Sequence, residues 1–336
     1  MKLLIAYDGS PGADAALDGL QHAGLPREAQ IEVLVMSVAD VWMPPPGGLA
    51  TVPIQESARY SYSPQVAGVV ALVRHNRDSA MQAVDEMQAV AEKGRKRLNA
   101  LFPDWEVRGE ACADSPAWGV LKKEGEWQPD LIVVGANSGS LAQKLIFGNI
   151  AQKIVTKARG SVRVGRAGDK NADAPVRLMV GMDGSPDAQG ALDAVCARSF
   201  PPGSAVLVVT VIDSRMAIGI ATLFPALARW VGEGGQNGEA GSTGEDEFAW
   251  VSGMVEAAVE QLRASGLEAS GTVHEGDSKQ VLLDEAEYWK ADCIFLGAKG
   301  LVGSSGLGNL ERFLPGSTAM VVASRAACSV EVTRSC

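Results

Sequence analysis

The chain repeats itself at half its length, and this limits the fold more than any other feature. Leu3-Leu4-Ile5-Ala6-Tyr7-Asp8-Gly9-Ser10-Pro11 returns as Leu178-Met179-Val180-Gly181-Met182-Asp183-Gly184-Ser185-Pro186. A Leu-Asp pair follows each copy, Leu17-Asp18 and Leu192-Asp193. A period this long means a duplicated domain and not a solenoid, and 336 residues is a natural length for two domains. The linker is Arg166 to Pro175, polar and rich in Gly, Ala and Asp.

Both halves give the same order of elements. A first strand (Lys2 to Tyr7; Arg177 to Met182) runs into Asp-Gly-Ser-Pro, which supplies a turn, a Ser N-cap and a Pro at the first helical position. A β-branched second strand follows (Ile31 to Val38; Ala205 to Ile212), then an irregular stretch (Trp42 to Pro64; Gly232 to Gly244, with a short helix at Met216 to Val231). Next comes a long amphipathic helix carrying Val84, Met87, Val90, Ala91, Leu98 and Leu101, or Val251, Met254, Val255, Ala258, Val259 and Leu262. A short third strand (Trp105 to Glu110; Ala269 to His274) precedes a helix (Trp118 to Gly125; Lys279 to Trp289) and a fourth strand (Leu131 to Val134; Cys293 to Leu296). A glycine-rich loop, a last helix (Ile150 to Ala158; Ala319 to Ala326) and a closing strand (Val162 to Val164; Val330 to Val332) complete each half. Strands alternating with helices predict an α/β fold with a parallel sheet, right-handed crossovers and helices on both faces. Ligands of such sheets bind beyond the carboxyl ends of the strands, where both Asp-Gly-Ser turns and both glycine loops fall.

The loop from Ala291 to Ser317 runs from a buried strand through glycines onto a helix start. That arrangement suits an anion, because free backbone amides and the helix dipole face it. A weaker copy spans Asp130 to Asn149. Tight packing without a ligand explains such a loop about as well, and Asp-Gly-Ser-Pro is a good turn and helix start whatever binds nearby.

Several function classes are excluded. A net charge of −10 without a basic cluster argues against nucleic acid. The five cysteines are scattered and form no CxxC pair, so reduced thiols in a cytoplasmic protein are expected, with Cys293 and Cys328 inert. His22, His75 and His274 show no metal-ligand spacing. Met1 to Ala6 reads as a strand and not a signal segment, and no apolar run is long enough for a membrane. Gly-x4-Gly-Lys-[Ser/Thr], Gly-x-Gly-x2-Gly after the first strand and Gly-x-Ser-x-Gly are all absent. Asp277 reads as a turn residue and Lys299 as solvated.

In order and duplication these motifs resemble the universal stress protein family in its tandem form, over nearly the whole chain. The resemblance implies two Rossmann-like domains of the adenine nucleotide α-hydrolase kind, 1–167 and 175–336, each an open parallel five-stranded sheet with helices on both faces. It implies ATP or AMP as ligand, Mg²⁺ entering with ATP, and a regulatory role in stress. It maps Asp8 and Asp183 onto the strand-end residue that contacts the nucleoside. Val38 and Val211 map onto the adenine-contacting strand end. The family's Gly-x2-Gly-x9-Gly-[Ser/Thr] loop maps in the second half to Gly297, Gly300, Gly316 and Ser317, with fifteen residues in the middle where the family has nine. Gly303 and Gly306 give the family spacing to Gly316 instead, so which glycine pair faces phosphate stays open. In the first half the loop maps to Gly135, Ser138, Gly148 and Asn149. Ser replaces a glycine there, and Asn149 caps the helix but lacks the hydroxyl, so nucleotide is expected mainly in the second half. No general base or arginine finger is placed for phosphoryl transfer, so at most slow ATP hydrolysis is expected. A rival reading is a nucleotide-free interaction protein that meets a protein partner through loops 42–64 and 232–244. The family pairs closing strands, so Ser161 to Arg166 should meet Ser329 to Thr333 in an internal pseudo-dimer.

Overall fold

Alternation along the strands decides where each half buries its surface. The computed structural model describes residues 1–26, 31–43, 64–136, 148–166, 168, 171, 173–212, 244–300 and 316–335. In the first half the elements are β1 (Lys2–Ala6), α1 (Pro11–Asp18), β2 (Glu32–Ala39), α2 (Pro64–Leu101), β3 (Glu106–Ala113), α3 (Pro116–Trp127), β4 (Leu131–Gly135), α4 (Asn149–Lys157) and β5 (Ser161–Gly165). In the second half they are β6 (Arg177–Gly181), α5 (Pro186–Cys196), β7 (Ala205–Ile212), α6 (Gly244–Ala264), β8 (Glu268–Glu275), α7 (Ser278–Trp289), β9 (Cys293–Gly297), α8 (Ser317–Arg325) and β10 (Ser329–Thr333).

Among the described residues ten strands form one sheet, in the order β3-β2-β1-β4-β5-β10-β9-β6-β7-β8. Within each half every pairing is parallel. At the centre β5 and β10 run antiparallel, with Val330 opposite Val164, Glu331 opposite Arg163 and Val332 opposite Val162. The closing strands thus meet as expected, and they merge two five-strand sets into one sheet.

One face carries a continuous core. Leu4, Ile132, Val134, Val162, Val164, Val330, Val332, Ile294, Leu296 and Met179 pack there beneath α3, α4, α7 and α8. The other face carries two cores, one under α1 and α2 with Leu3, Ile5 and Val133, the other under α5 and α6 with Leu178, Val180 and Phe295. On that second face the seam is polar. Glu331 accepts from Arg163 Nη1 at 3.1 Å and from Arg198 Nη1 at 3.0 Å, and Arg198 Nη2 donates to its other oxygen. The side chains of Arg163 and Glu331 are 2% and 1% exposed, so neither charge has water to fall back on.

Some boundaries differ from expectation. The third strands are longer, eight residues each, because they pair along the full length of β2 and β7 despite their polar outer residues. Trp105 lies outside β3, where it stacks on Phe102 and donates to the Pro26 carbonyl at 3.0 Å. The long helix α2 starts at Pro64, well before its apolar stripe. The loops expected at 42–64 and 232–244, and the helix at Met216 to Val231, fall almost wholly outside the described residues.

Burial alone would push the Glu331 carboxyl up, but Arg198 and Arg163 hold it below its ordinary value of 4.5. A depressed carboxyl stabilises the fold above that ordinary value and loses its contribution as pH falls below it toward the folded-state value. Glu331→Ala, which leaves two guanidinium groups buried without their carboxylate, is expected to cost about 3–5 kcal/mol in urea unfolding at pH 7. The wild-type advantage over Glu331→Gln should shrink as pH is lowered from 5 toward 3; an advantage independent of pH in that window would contradict this account.

Candidate functional site

The two Asp-Gly-Ser turns are built alike. Asp8 Oδ1 accepts the Ser10 amide and Asp183 Oδ1 accepts the Ser185 amide, both at 3.0 Å. Gly9 and Gly184 take φ of 75° and 79°, where a side chain would be strained. Ser10 and Ser185 then cap α1 and α5 by accepting the Ala13 and Ala188 amides at 3.2 Å. One oxygen of each aspartate is therefore held by its own turn.

Two buried hydroxyls missing from the sequence reading brace these turns. Ser37 Oγ donates to the Tyr7 carbonyl and Thr210 Oγ1 to the Met182 carbonyl, each at 2.7 Å. A hydroxyl residue inside the apolar runs of β2 and β7 was the available signal. Tyr7 is fixed further by its donation to Asp14 Oδ1 at 2.5 Å; burial and that bond push its phenol well above the ordinary value.

The loop glycines divide into two kinds. A Cβ at Gly297 would lie 2.5 Å from the Ala188 amide nitrogen, and one at Gly135 would lie 2.7 Å from the Gly12 carbonyl. These glycines let α5 and α1 approach the strand ends, so packing accounts for them. Gly300 is different, because a Cβ there would meet Asp183 Oδ2 at 2.7 Å; its backbone lies against the strand-end carboxylate. Gly316 and Gly148 differ again. Each is the N-cap of its helix, with φ of −60° and −64°, and added Cβ atoms would meet neighbouring carbonyls only at 3.5 and 3.6 Å. Their amides donate back to the Ala298 and Ala136 carbonyls at 2.6 and 3.1 Å, which ties each last helix to its fourth strand.

Asn149 does not cap α4. Gly148 holds that position, and Asn149 is the first helical residue, exposed like Ser317 at the start of α8. Val38 and Val211 stand near the ends of β2 and β7, partly buried against the α3/α7 face; a Cβ at Gly119 would touch Val38 at 2.9 Å. Gly303 and Gly306 lie outside the described residues. Asp277 is more than a turn residue, since it caps α7 through the Lys279 amide at 3.0 Å, and Ser278 meets Thr318 of α8 at 3.2 Å. The structure thus gathers Asp183, Gly300, Gly316, Ser317 and the start of α7 at one sheet edge. Burial pushes the thiols of Cys293 and Cys328 up, the latter to about 12, so both stay protonated. Among the described residues no group of three or more His, Cys, Asp or Glu could hold a metal ion, and no helix is long and apolar enough to cross a membrane.

The glycines therefore make separable predictions. Gly135→Ala and Gly297→Ala should each lower stability by about 1–3 kcal/mol through overpacking. Gly148→Ala and Gly316→Ala, which put a poorer residue at each N-cap without overpacking, should cost less, at most about 1 kcal/mol. Urea-unfolding midpoints of the four variants check this, and equal losses in all four would contradict the division.

The model of the universal stress protein family matches residues 1–166 and again 176–334. Among solved structures, a universal stress protein from Archaeoglobus fulgidus DSM 4304 is similar over 99% of this chain and 96% of its own, with 15% identity and a TM-score of 0.59. A putative universal stress protein from Pseudomonas aeruginosa UCBPP-PA14 covers 99% of this chain and 92% of its own, with 12% identity and a TM-score of 0.51. A universal stress protein solved in complex with cAMP covers 48% of this chain and 98% of its own, at 20% identity and a TM-score of 0.29. A search of curated proteins found no match. With its family model matched in both halves, on two copies of one strand–turn–helix frame, the chain belongs to the universal stress protein family, in tandem form.

Proposed function

We propose that the chain is a regulatory module that binds an adenine nucleotide, ATP or AMP, mainly in its second half. The observation that carries this reading is the edge formed by Asp183, Gly300 and Gly316. Gly300 brings loop backbone against the Asp183 carboxylate. Gly316 is a glycine that neither its backbone angles nor its packing requires, which suits close approach of a ligand. The first-turn amides of α8, from Ser317 to Ala319, lie outside the helix's own hydrogen-bond ladder and point from the positive end of its dipole. Phosphate oxygens fit that chemistry, with Ser317 as a hydroxyl donor. Mg²⁺ enters with ATP, because phosphates placed beside the Asp183 carboxylate on a chain of net charge −10 need a counter-cation. Val211 and Val38 lie near the ends of the strands flanking each turn, on the adenine side. The first half carries Asn149 where the second has Ser317, and its site, built on Asp8, Gly135 and Gly148, is the weaker one. The protein acts in the cytoplasm by binding and not by turnover.

Titration with MgATP tests the reading. Wild type is expected to bind, Gly316→Val to lose the main site, and Gly148→Val to keep most of the affinity. Metal-replete protein with no affinity for ATP or AMP and no co-purifying adenine absorbance would overturn the binding claim; equal losses in the two variants would overturn the asymmetry.

A further inference from the structure

Asp187 stands second in α5, where its counterpart in the first half is Gly12. Two amides from distant parts of the chain donate to its carboxylate. Lys299 N reaches Oδ2 at 3.0 Å and Ser335 N reaches Oδ1 at 2.9 Å. The same joint has neutral ties: Ser335 Oγ donates to the Pro186 carbonyl at 2.8 Å, and Thr333 Oγ1 to the Asp187 carbonyl at 3.0 Å. The carboxylate thus links a helix start, the end of β10 and the residue before Gly300. Amide bonds to an ionised acceptor are the stronger kind, and the start of α5 favours a negative charge.

The placement separates this residue from ligand contact. α5 covers the face opposite α8, so Asp187 reaches the loop from behind, while Asp183 and Gly316 border it at the sheet edge. The first half has no side chain at position 12, and its strand end Gly135 rests directly on the Gly12 backbone.

We propose that Asp187 is the positioning residue of the second glycine loop, fixing Lys299 and Gly300 for a phosphate-bearing ligand, and that Gly12 leaves the first half without this tie. The role rests on the nucleotide reading of the second half, and the test separates the two. Wild type, Asp187→Ala and Asp187→Asn are titrated with MgATP and with adenosine, and amide exchange at Lys299 is followed without ligand. Asp187→Ala is expected to speed exchange at Lys299 about tenfold and to weaken MgATP about tenfold, with adenosine unchanged. Asp187→Asn keeps the shape and one acceptor oxygen but loses the charge. Its loss for MgATP should be about threefold, and it decides the question if the alanine variant fails to fold. Unchanged exchange at Lys299, unchanged MgATP affinity, or equal losses for MgATP and adenosine overturn the positioning role. A wild type that binds neither ligand, with Lys299 protected as described, overturns the nucleotide reading and the role with it.

Discussion

The antiparallel pairing of β5 with β10 is the constraint on which the rest of the molecule depends. Its two faces enforce one register by different means. On one face Val162, Val164, Val330 and Val332 continue a single apolar core across the seam. On the other, Arg163 and Glu331 stand directly opposite each other, and Arg198 from the end of the second half's first helix closes on the same carboxylate. A slip of one residue would turn Glu331 into the apolar face and the valines of β10 onto the polar one, leaving Arg163 without its partner. Buried charges without partners cost several kcal/mol, so the alternative registers are strongly disfavoured. The ends of the seam repeat the logic. Arg166, just past β5, donates to the Ala323 carbonyl in the last turn of α8 and to the Cys328 carbonyl just before β10; Arg334, just past β10, donates to the Val155 carbonyl in the last turn of α4 and to the Gly160 carbonyl just before β5. Each half thus places a cation on the negative end of the other half's last helix dipole, over the carbonyls that the helix itself leaves unpaired.

An antiparallel seam between two internally parallel halves also decides where the sites lie. The strand carboxyl ends of the first half point to one edge of the sheet and those of the second half to the opposite edge. The two Asp-Gly-Ser turns therefore stand at opposite ends of the molecule. What each site edge receives from the other half is a helix C-terminus and its loop, as with α4 beneath Arg334. A change in one loop leaves the composition of the other untouched, and this is the physical condition under which a duplicated site can diverge in one copy.

The twin frame was legible in the sequence because local chemistry writes it. Asp-Gly-Ser-Pro specifies its own turn, positive φ and cap, and the structure builds both copies alike. The seam was legible too: the Val-Arg-Val and Val-Glu-Val patterns at its centre put opposite charges inside two short apolar strands, which marks them as partners. Less legible were features set by tertiary approach. Nothing near Gly135 or Gly297 announces that a helix backbone will come so close to them, so a packing glycine and a ligand glycine look the same in a one-dimensional pattern. Ser37 and Thr210 stand out in the sequence only as hydroxyls inside apolar runs; the carbonyls they meet, those of Tyr7 and Met182, are fixed by the fold. The edge strands ran longer than their apolar cores because a parallel ladder needs a neighbour's backbone more than it needs apolar side chains.

The halves also dock their first helices on the sheet by different physics. In the first half Gly165 ends the closing strand, and a Cβ there would lie 2.6 Å from the Ala16 Cα; α1 is seated by close van der Waals approach. In the second half the matching position is Thr333, whose hydroxyl lies within hydrogen-bond reach of the Asp187 and Leu296 carbonyls at 3.0 and 3.1 Å, and Ala191 stands where the first half has Ala16. Hydrogen bonding there replaces the contact that glycine permits in the twin. Directional bonds fix rotation as well as distance, whereas close packing of a small residue fixes mainly distance. The half whose helix start, Lys299 and closing strand are joined by such bonds is also the half with Ser317 at the start of its last helix.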